Sequence, residues 1–144
     1  ILDISAISEH GHGLYIMSSP LDDVIHVNTE GGDWPIIEWS AGDDYIFGPS
    51  VQGAAFRANS YHDWQYQSDL DKGLIFEFNN NVLTVASEYG VITAENIKNI
   101  YGSRGDDTMI GNESYQNFRG DGGYDTYTGG IGEDSFRVES HYAH

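Results

Sequence analysis

GSRGDDTMI (102–110), GNESYQNFR (111–119), GDGGYDTYT (120–128) and GGIGEDSFR (129–137) follow one another without a gap, and their reading decides the fold. Each unit opens on glycine. Position six holds Asp107, Gln116, Asp125 and Asp134, and position eight holds Met109, Phe118, Tyr127 and Phe136. Self-similarity at a fixed short period marks a repeat architecture, in which one unit cannot bury its apolar side alone and neighbours must stack. Glycine tolerates positive φ and lets backbone carbonyls converge, so the first six residues of a unit read as a tight turn. The last three read as a short strand with position eight pointing inward and the acid outward. Two units complete one coil, so equivalent turns recur 18 residues apart on alternating sides, pairing Asp107 with Asp125 and Gln116 with Asp134.

Several carbonyls and a carboxylate facing another such set form an oxygen cage for a hard cation, and calcium suits it best. The turn at 102–107 faces the one at 120–125, which brings together Gly102, Arg104, Gly105 and Asp107 with Gly120, Gly122, Gly123 and Asp125. On the other side Gly130, Gly132 and Asp134 make a second half-site. Its partner GNESYQ (111–116) has lost two glycines and its acid, keeping only the neutral oxygen of Gln116.

Upstream, SSPLDDVI (18–25) and WSAGDDYIF (39–47) repeat the turn-then-strand logic more loosely, with Asp23 and Asp44 as their acids. The β-rich runs 24–28 and 36–39 flank the turn signal TEGGDWP (29–35). Between 51 and 100 the stretches 74–78, 82–86 and 90–93 read as strands, and 94–99 hints at a helical turn. No sustained 3.6-residue apolar period occurs, so the chain reads as all-β. Its organisation is an irregular β-rich part over 1–60, belonging to the same roll, and a repeat-bearing part over 61–144.

The chain has 144 residues, enough for one domain with a core of its own. Asp and Glu number 23 against 6 Lys and Arg, a net charge of −17 that argues against nucleic acid and anionic membranes and for cations. Zero cysteines exclude disulfides and thiolate metal sites. No apolar run approaches the roughly 20 residues of a membrane helix. The chain begins with Ile1, without a signal-peptide pattern, and reads as a module of a longer protein.

The repeats, with the lead-in Ile97-Lys98-Asn99-Ile100-Tyr101-Gly102-Ser103 before Asp106-Asp107-Thr108, resemble the RTX (hemolysin-type) family of calcium-binding nonapeptide repeats. The resemblance runs from about Tyr61 to Arg137; residues 1–60 match only loosely. It implies a parallel β-roll and export from a bacterium by type I secretion. Calcium outside a cell can neutralise an acidic roll that scarce cytosolic calcium cannot, so folding would wait for export. The resemblance does not imply an enzyme.

Other constellations point to no chemistry of their own. His10 and His12 could share a strand face, but they lack a second cluster and an H-E-x-x-H motif, and His62, His141 and His144 have no motif. There is no G-x-S-x-G and no phosphate loop. The pairs Asp22-Asp23, Asp43-Asp44 and Asp106-Asp107 are explained by turns and calcium before glycosidase chemistry is needed. The aromatics Trp34, Trp39, Tyr61, Trp64 and Tyr66 suit a sugar platform or, more simply, core packing. The expectation is a non-catalytic calcium-binding module supporting a partner domain. The alternatives are a calcium-dependent carbohydrate-binding or adhesion module, or the accessory module of a polysaccharide-modifying enzyme such as an alginate epimerase.

Overall fold

Gly and Asp turns spaced along short β-branched and aromatic runs leave the chain nothing to build but brief strands. The computed structural model describes residues 2–7, 15–17, 19–30, 35–49, 54–58, 73–112, 117–120, 122–130 and 135–137. Among these residues there are strands and no helix. In chain order the strands are β1 (Leu2–Ile7), β2 (Tyr15–Met17), β3 (Val24–Glu30), β4 (Ile36–Glu38), β5 (Tyr45–Phe47), β6 (Ala54–Arg57) and β7 (Ile75–Asn79). They continue with β8 (Val82–Ser87), β9 (Gly90–Glu95), β10 (Ile97–Tyr101), β11 (Thr108–Ile110), β12 (Asn117–Arg119), β13 (Thr126–Thr128) and β14 (Ser135–Arg137).

Two sheets result. An eight-stranded sheet has the order β1-β3-β5-β9-β8-β7-β11-β13, and a six-stranded sheet has the order β14-β12-β10-β6-β4-β2. Consecutive strands alternate between the sheets, so each pairs in parallel with the strand two places on: β3 with β5, β4 with β6, β11 with β13, and β12 with β14. In the repeats the register places Met109 beside Tyr127 and Phe118 beside Phe136, the separation expected of two nonapeptides per coil.

The run β7-β8-β9 departs from that pattern as an antiparallel meander within the larger sheet. Tight turns explain it: Asn80 (φ 55°) and Gly90 (φ 134°) supply the left-handed backbone that closes hairpins. The helical turn expected over 94–99 does not exist. β9 runs to Glu95, Asn96 turns the corner at φ 60°, and β10 starts at Ile97. A short polar side chain that tolerates the left-handed region is what sends the chain from one sheet to the other here.

Alternation builds the core. In β7 the burial pattern is exposed, buried, exposed, buried, exposed, which puts Phe76 and Phe78 inside, and β11 and β12 bury only their middle residues, Met109 and Phe118. Phe56 packs edge-on against Phe76 at 6.1 Å between ring centroids, and Phe78 packs similarly against Phe118. Trp39 is buried, which settles it as a core aromatic rather than a sugar platform. Phe136 does not reach full burial: it is 38% exposed although its ring stacks on Phe118 at 5.4 Å. It sits on β14, at the end of its sheet, where no further strand among the described residues pairs.

Candidate cation site in the stacked acidic turns

Four of the connections from the smaller sheet to the larger are hexapeptide turns: 18–23 before β3, 39–44 before β5, 102–107 before β11 and 120–125 before β13. Three of them share a pattern that the Gly, Asp and apolar positions of the nonapeptide do not contain, namely Ser-x-x-Asp-Asp at 19–23, 40–44 and 103–107. In each, the serine hydroxyl donates to the second aspartate, at 2.6 Å from Ser19 to Asp23, 2.7 Å from Ser40 to Asp44 and 2.7 Å from Ser103 to Asp107. This closes the turn on itself, as serine and aspartate do wherever they compete with regular backbone pairing.

The aspartates also lace neighbouring turns together in a reciprocal ladder. The first aspartate of one turn accepts from the backbone N–H at the same position of the next: Asp43 N–H donates to Asp22 at 2.9 Å and Tyr124 N–H to Asp106 at 2.8 Å. The second aspartate accepts in the opposite sense, from Asp23 N–H to Asp44 and from Asp107 N–H to Asp125, both at 3.0 Å. Glycine at the fourth position makes this stacking possible. Gly42 (φ 102°) and Gly123 (φ 80°) are left-handed, and a Cβ on Gly123 would collide with the Gly105 carbonyl of the turn beside it.

Both ladders end on the meander. Asp43 accepts from Val91 N–H of β9 at 2.8 Å, and Asp107 accepts from Leu74 N–H at the entry to β7 at 2.7 Å.

The position-six acids were expected to face outward, and the structure corrects this: Asp107 is 1% exposed and Asp44 2% exposed, while Asp106 and Asp43 carry the outward charge. The reason is hydrogen bonding, since Asp107 takes donors from Ser103 N–H (2.7 Å), the Ser103 hydroxyl and Leu74 N–H, and these can be met only from inside the turn. Burial pushes the Asp107 carboxyl up to about 7, against the pull of those donors. At Asp23 the Ser19 hydroxyl and backbone N–H prevail instead and hold the carboxyl below its ordinary value.

Asp107 binds its proton more tightly folded than unfolded, so its contribution to stability is full below about pH 4 and is lost as pH rises through about 7. With chelator present, the urea midpoint should therefore fall over that window, by the equivalent of roughly 3 to 5 kcal/mol. Asp107→Asn should flatten the slope; an unchanged slope would show that another group governs it.

The oxygen donors fit a hard cation in kind. A Cβ on Gly122 would lie 3.4 Å from the Arg104 carbonyl, and one on Gly102 would lie 2.6 Å from the Gly120 carbonyl, so at each of these glycines a carbonyl of the adjacent turn approaches closely. No group of three His, Cys, Asp or Glu side chains able to hold a metal occurs among the described residues. A cation between these turns would therefore depend on the carbonyls of Arg104, Gly105 and Gly120 with carboxylate oxygens of Asp107 and Asp125, an all-oxygen set suited to calcium.

No protein-family model, curated protein or solved structure matches the chain.

On the opposite edge, Gly130 packs so closely on Asn112 that a Cβ would strike the Asn112 carbonyl, which brings the turns after β13 and β11 together. Gln116, Gly132 and Asp134 lie outside the described residues, as do His10, His12, Trp34, Tyr61, His62, Trp64, Tyr66, His141 and His144. His26 belongs to no sequence motif, yet it stacks on Phe47 at 4.5 Å on the outer face of the larger sheet.

Proposed function

We propose that this chain is a calcium-binding parallel β-roll of the RTX type, a non-catalytic module of a secreted bacterial protein that supports a partner domain of a longer chain. The observation that carries the proposal is the reciprocal aspartate ladder between turns 102–107 and 120–125 at an 18-residue spacing. It holds two carbonyl-lined turns face to face and buries Asp107 among backbone donors. Alternation of consecutive strands between two largely parallel sheets supports the roll. In sequence the turns that stack carry Asp22, Asp23, Asp43, Asp44, Asp106, Asp107, Asp121 and Asp125, with Arg104 as their one Lys or Arg.

Carbonyl and carboxylate oxygens of both turns would hold a calcium ion there, and its positive charge would offset their mutual repulsion. The chain's part is to orient Asp125 and the carbonyls of Arg104 and Gly105 through the ladder and to exclude water at Asp107. Extracellular calcium modules bind at about 10⁻⁴ to 10⁻³ M, and a ligand at ten times its dissociation constant stabilises by about 1.4 kcal/mol per site. Folding is thereby tied to export by type I secretion into a calcium-rich medium. The paired acids are engaged by backbone N–H groups, a structural use that supports the non-catalytic reading.

Calorimetric titration with calcium tests the proposal. Asp125→Asn keeps an oxygen for Asp107 N–H and removes the charge, so calcium affinity should fall about tenfold while the apo spectrum is retained. Gln116→Ala, in the unit that lacks the acid, should weaken binding less. Equal heats in both variants and in the parent would end the assignment.

A further inference from the structure

Three of the four acidic turns close through a serine at their second position, but the turn 120–125 carries Asp121 there. Its position-six acid takes a hydroxyl from elsewhere. Tyr127, the position-eight residue of the same unit, donates its phenol O–H to Asp125 Oδ2 at 3.3 Å, while Asp125 Oδ1 accepts from Asp107 N–H of the neighbouring turn at 3.0 Å. Both carboxylate oxygens are held, one by the adjacent turn and one by the strand that follows. One coil earlier the same place is apolar. Met109 is the register partner of Tyr127. A Cβ on Gly102 would meet the Asp107 carboxylate and the Met109 methyl, whereas a Cβ on Gly120 would meet the Asp125 carboxylate and the Tyr127 hydroxyl. Position eight thus reaches its own turn in both coils, and only the end group differs.

We propose that Tyr127 is a positioning residue for a cation between turns 102–107 and 120–125, its hydroxyl fixing the Asp125 carboxylate as serine fixes the acids of the other turns. The proposal rests on the calcium reading of those turns. A group that hydrogen-bonds a metal-binding carboxylate sets its orientation, and affinity falls when that group is lost. The ring is itself held in place, since it packs partly buried against the core and meets Phe136 edge-on at 5.1 Å. Pairing of β13 with β11 fixes the strand that carries it, so the donor's direction is set from outside the turn. Burial and the charges of Asp125 and Asp107 hold the phenol above its ordinary value, which keeps it a donor at neutral pH. A ring that only filled the core would be met by phenylalanine, as at Phe118 and Phe136 on the other sheet.

Tyr127→Phe keeps the ring and removes the hydroxyl, and Tyr127→Met, which copies the preceding coil, gives a second side chain without it. Circular dichroism in excess calcium reports whether each protein is folded, and calorimetric titration of the whole chain with calcium gives the affinity. Both variants should bind calcium about three- to fivefold more weakly, a smaller loss than removal of the Asp125 charge itself. A residue that acts through Asp125 has little left to orient once that charge is gone, so in the Asp125→Asn background Tyr127→Phe should cost less than about twofold more. Calcium should also shift the absorption of one tyrosine, because a carboxylate shared with a cation draws less on the phenolic proton. This difference spectrum should lose most of its amplitude in Tyr127→Phe and keep it in Tyr15→Phe, whose exposed side chain lies on β2 at the far end of the smaller sheet. Parental affinity in the folded Tyr127 variants, losses that multiply in the double variant, or a difference spectrum that survives Tyr127→Phe each overturn the role of Tyr127 and leave the calcium reading standing. Absence of calcium heat in the parent overturns both.

Discussion

Heated in excess chelator, the chain is expected to lose its far-ultraviolet β signal in one cooperative step at an apparent melting temperature lower by about 10 °C or more than in calcium. The stacked turns concentrate Asp22, Asp43 and Asp106 at the surface above the interior carboxylates of Asp44 and Asp107, with Arg104 their one basic residue. Hydrogen bonds run from turn to turn through these same carboxylates, so loosening one turn removes acceptors from the next. Two sites contributing about 1.4 kcal/mol each, at a few degrees per kcal/mol for a domain of this size, give the lower bound. The margin of a typical domain, about 5 to 15 kcal/mol, leaves little room for the repulsion that remains. Thermal melts in calcium and in chelator decide the matter. Superimposable curves would mean that the hydrogen-bond ladder alone holds the turns, and the calcium reading would be lost.

Phe118→Ala should cost about 3 to 5 kcal/mol in saturating calcium, the loss typical of a deleted buried phenylalanine. Phe118 is fully buried, stacks on Phe136 with ring planes 6° apart and meets Phe78 edge-on at 6.1 Å. Its removal opens a void shared by both sheets, which strands hydrogen-bonded on either side cannot close. Phe136→Ala, at the exposed end of the same stack, should cost clearly less. If urea denaturation finds the two variants equal, or Phe118→Ala as stable as the parent, the second nonapeptide does not pack as its register implies.

The parts of the fold that were legible are those set by short-range repetition. Residues recurring every nine positions must repeat their backbone conformation, which is why Met109 and Tyr127, or Phe118 and Phe136, could be paired before any strand was placed. The antiparallel direction of β8 was not legible, because its alternation of buried and half-buried residues fits either direction equally well. The misread helical turn at 94–99 failed for a local reason: Ala94 and Glu95 favour helix, but the left-handed corner at Asn96 and the buried strand positions on both sides override them. Within the site, the glycines, the position-six acids and the acid pairs they belong to are legible in the sequence, whereas the serines and the separate roles of the two acids in each pair are not. Their signal was present as Ser-x-x-Asp-Asp three times, but its meaning depends on which backbone N–H groups stack above and below.

The meander also bears on the order in which the molecule can assemble. β7, β8 and β9 pair with their immediate sequence neighbours through hairpins, whereas parallel pairs such as β11 and β13 must bring together segments with a strand of the other sheet between them in sequence. Local pairing closes small loops and is kinetically favoured, so the hairpins are expected to form first. Each edge of that early unit then presents a backbone donor, Val91 N–H on one side and Leu74 N–H on the other, to which the first acidic turn of each stack attaches. Growth would proceed outward from the middle in both directions, with the last strands at either end of the sheets the least protected. Pulsed hydrogen exchange during refolding should find the amides of β8 protected before those of β3 and β13; simultaneous protection would indicate a single concerted nucleus.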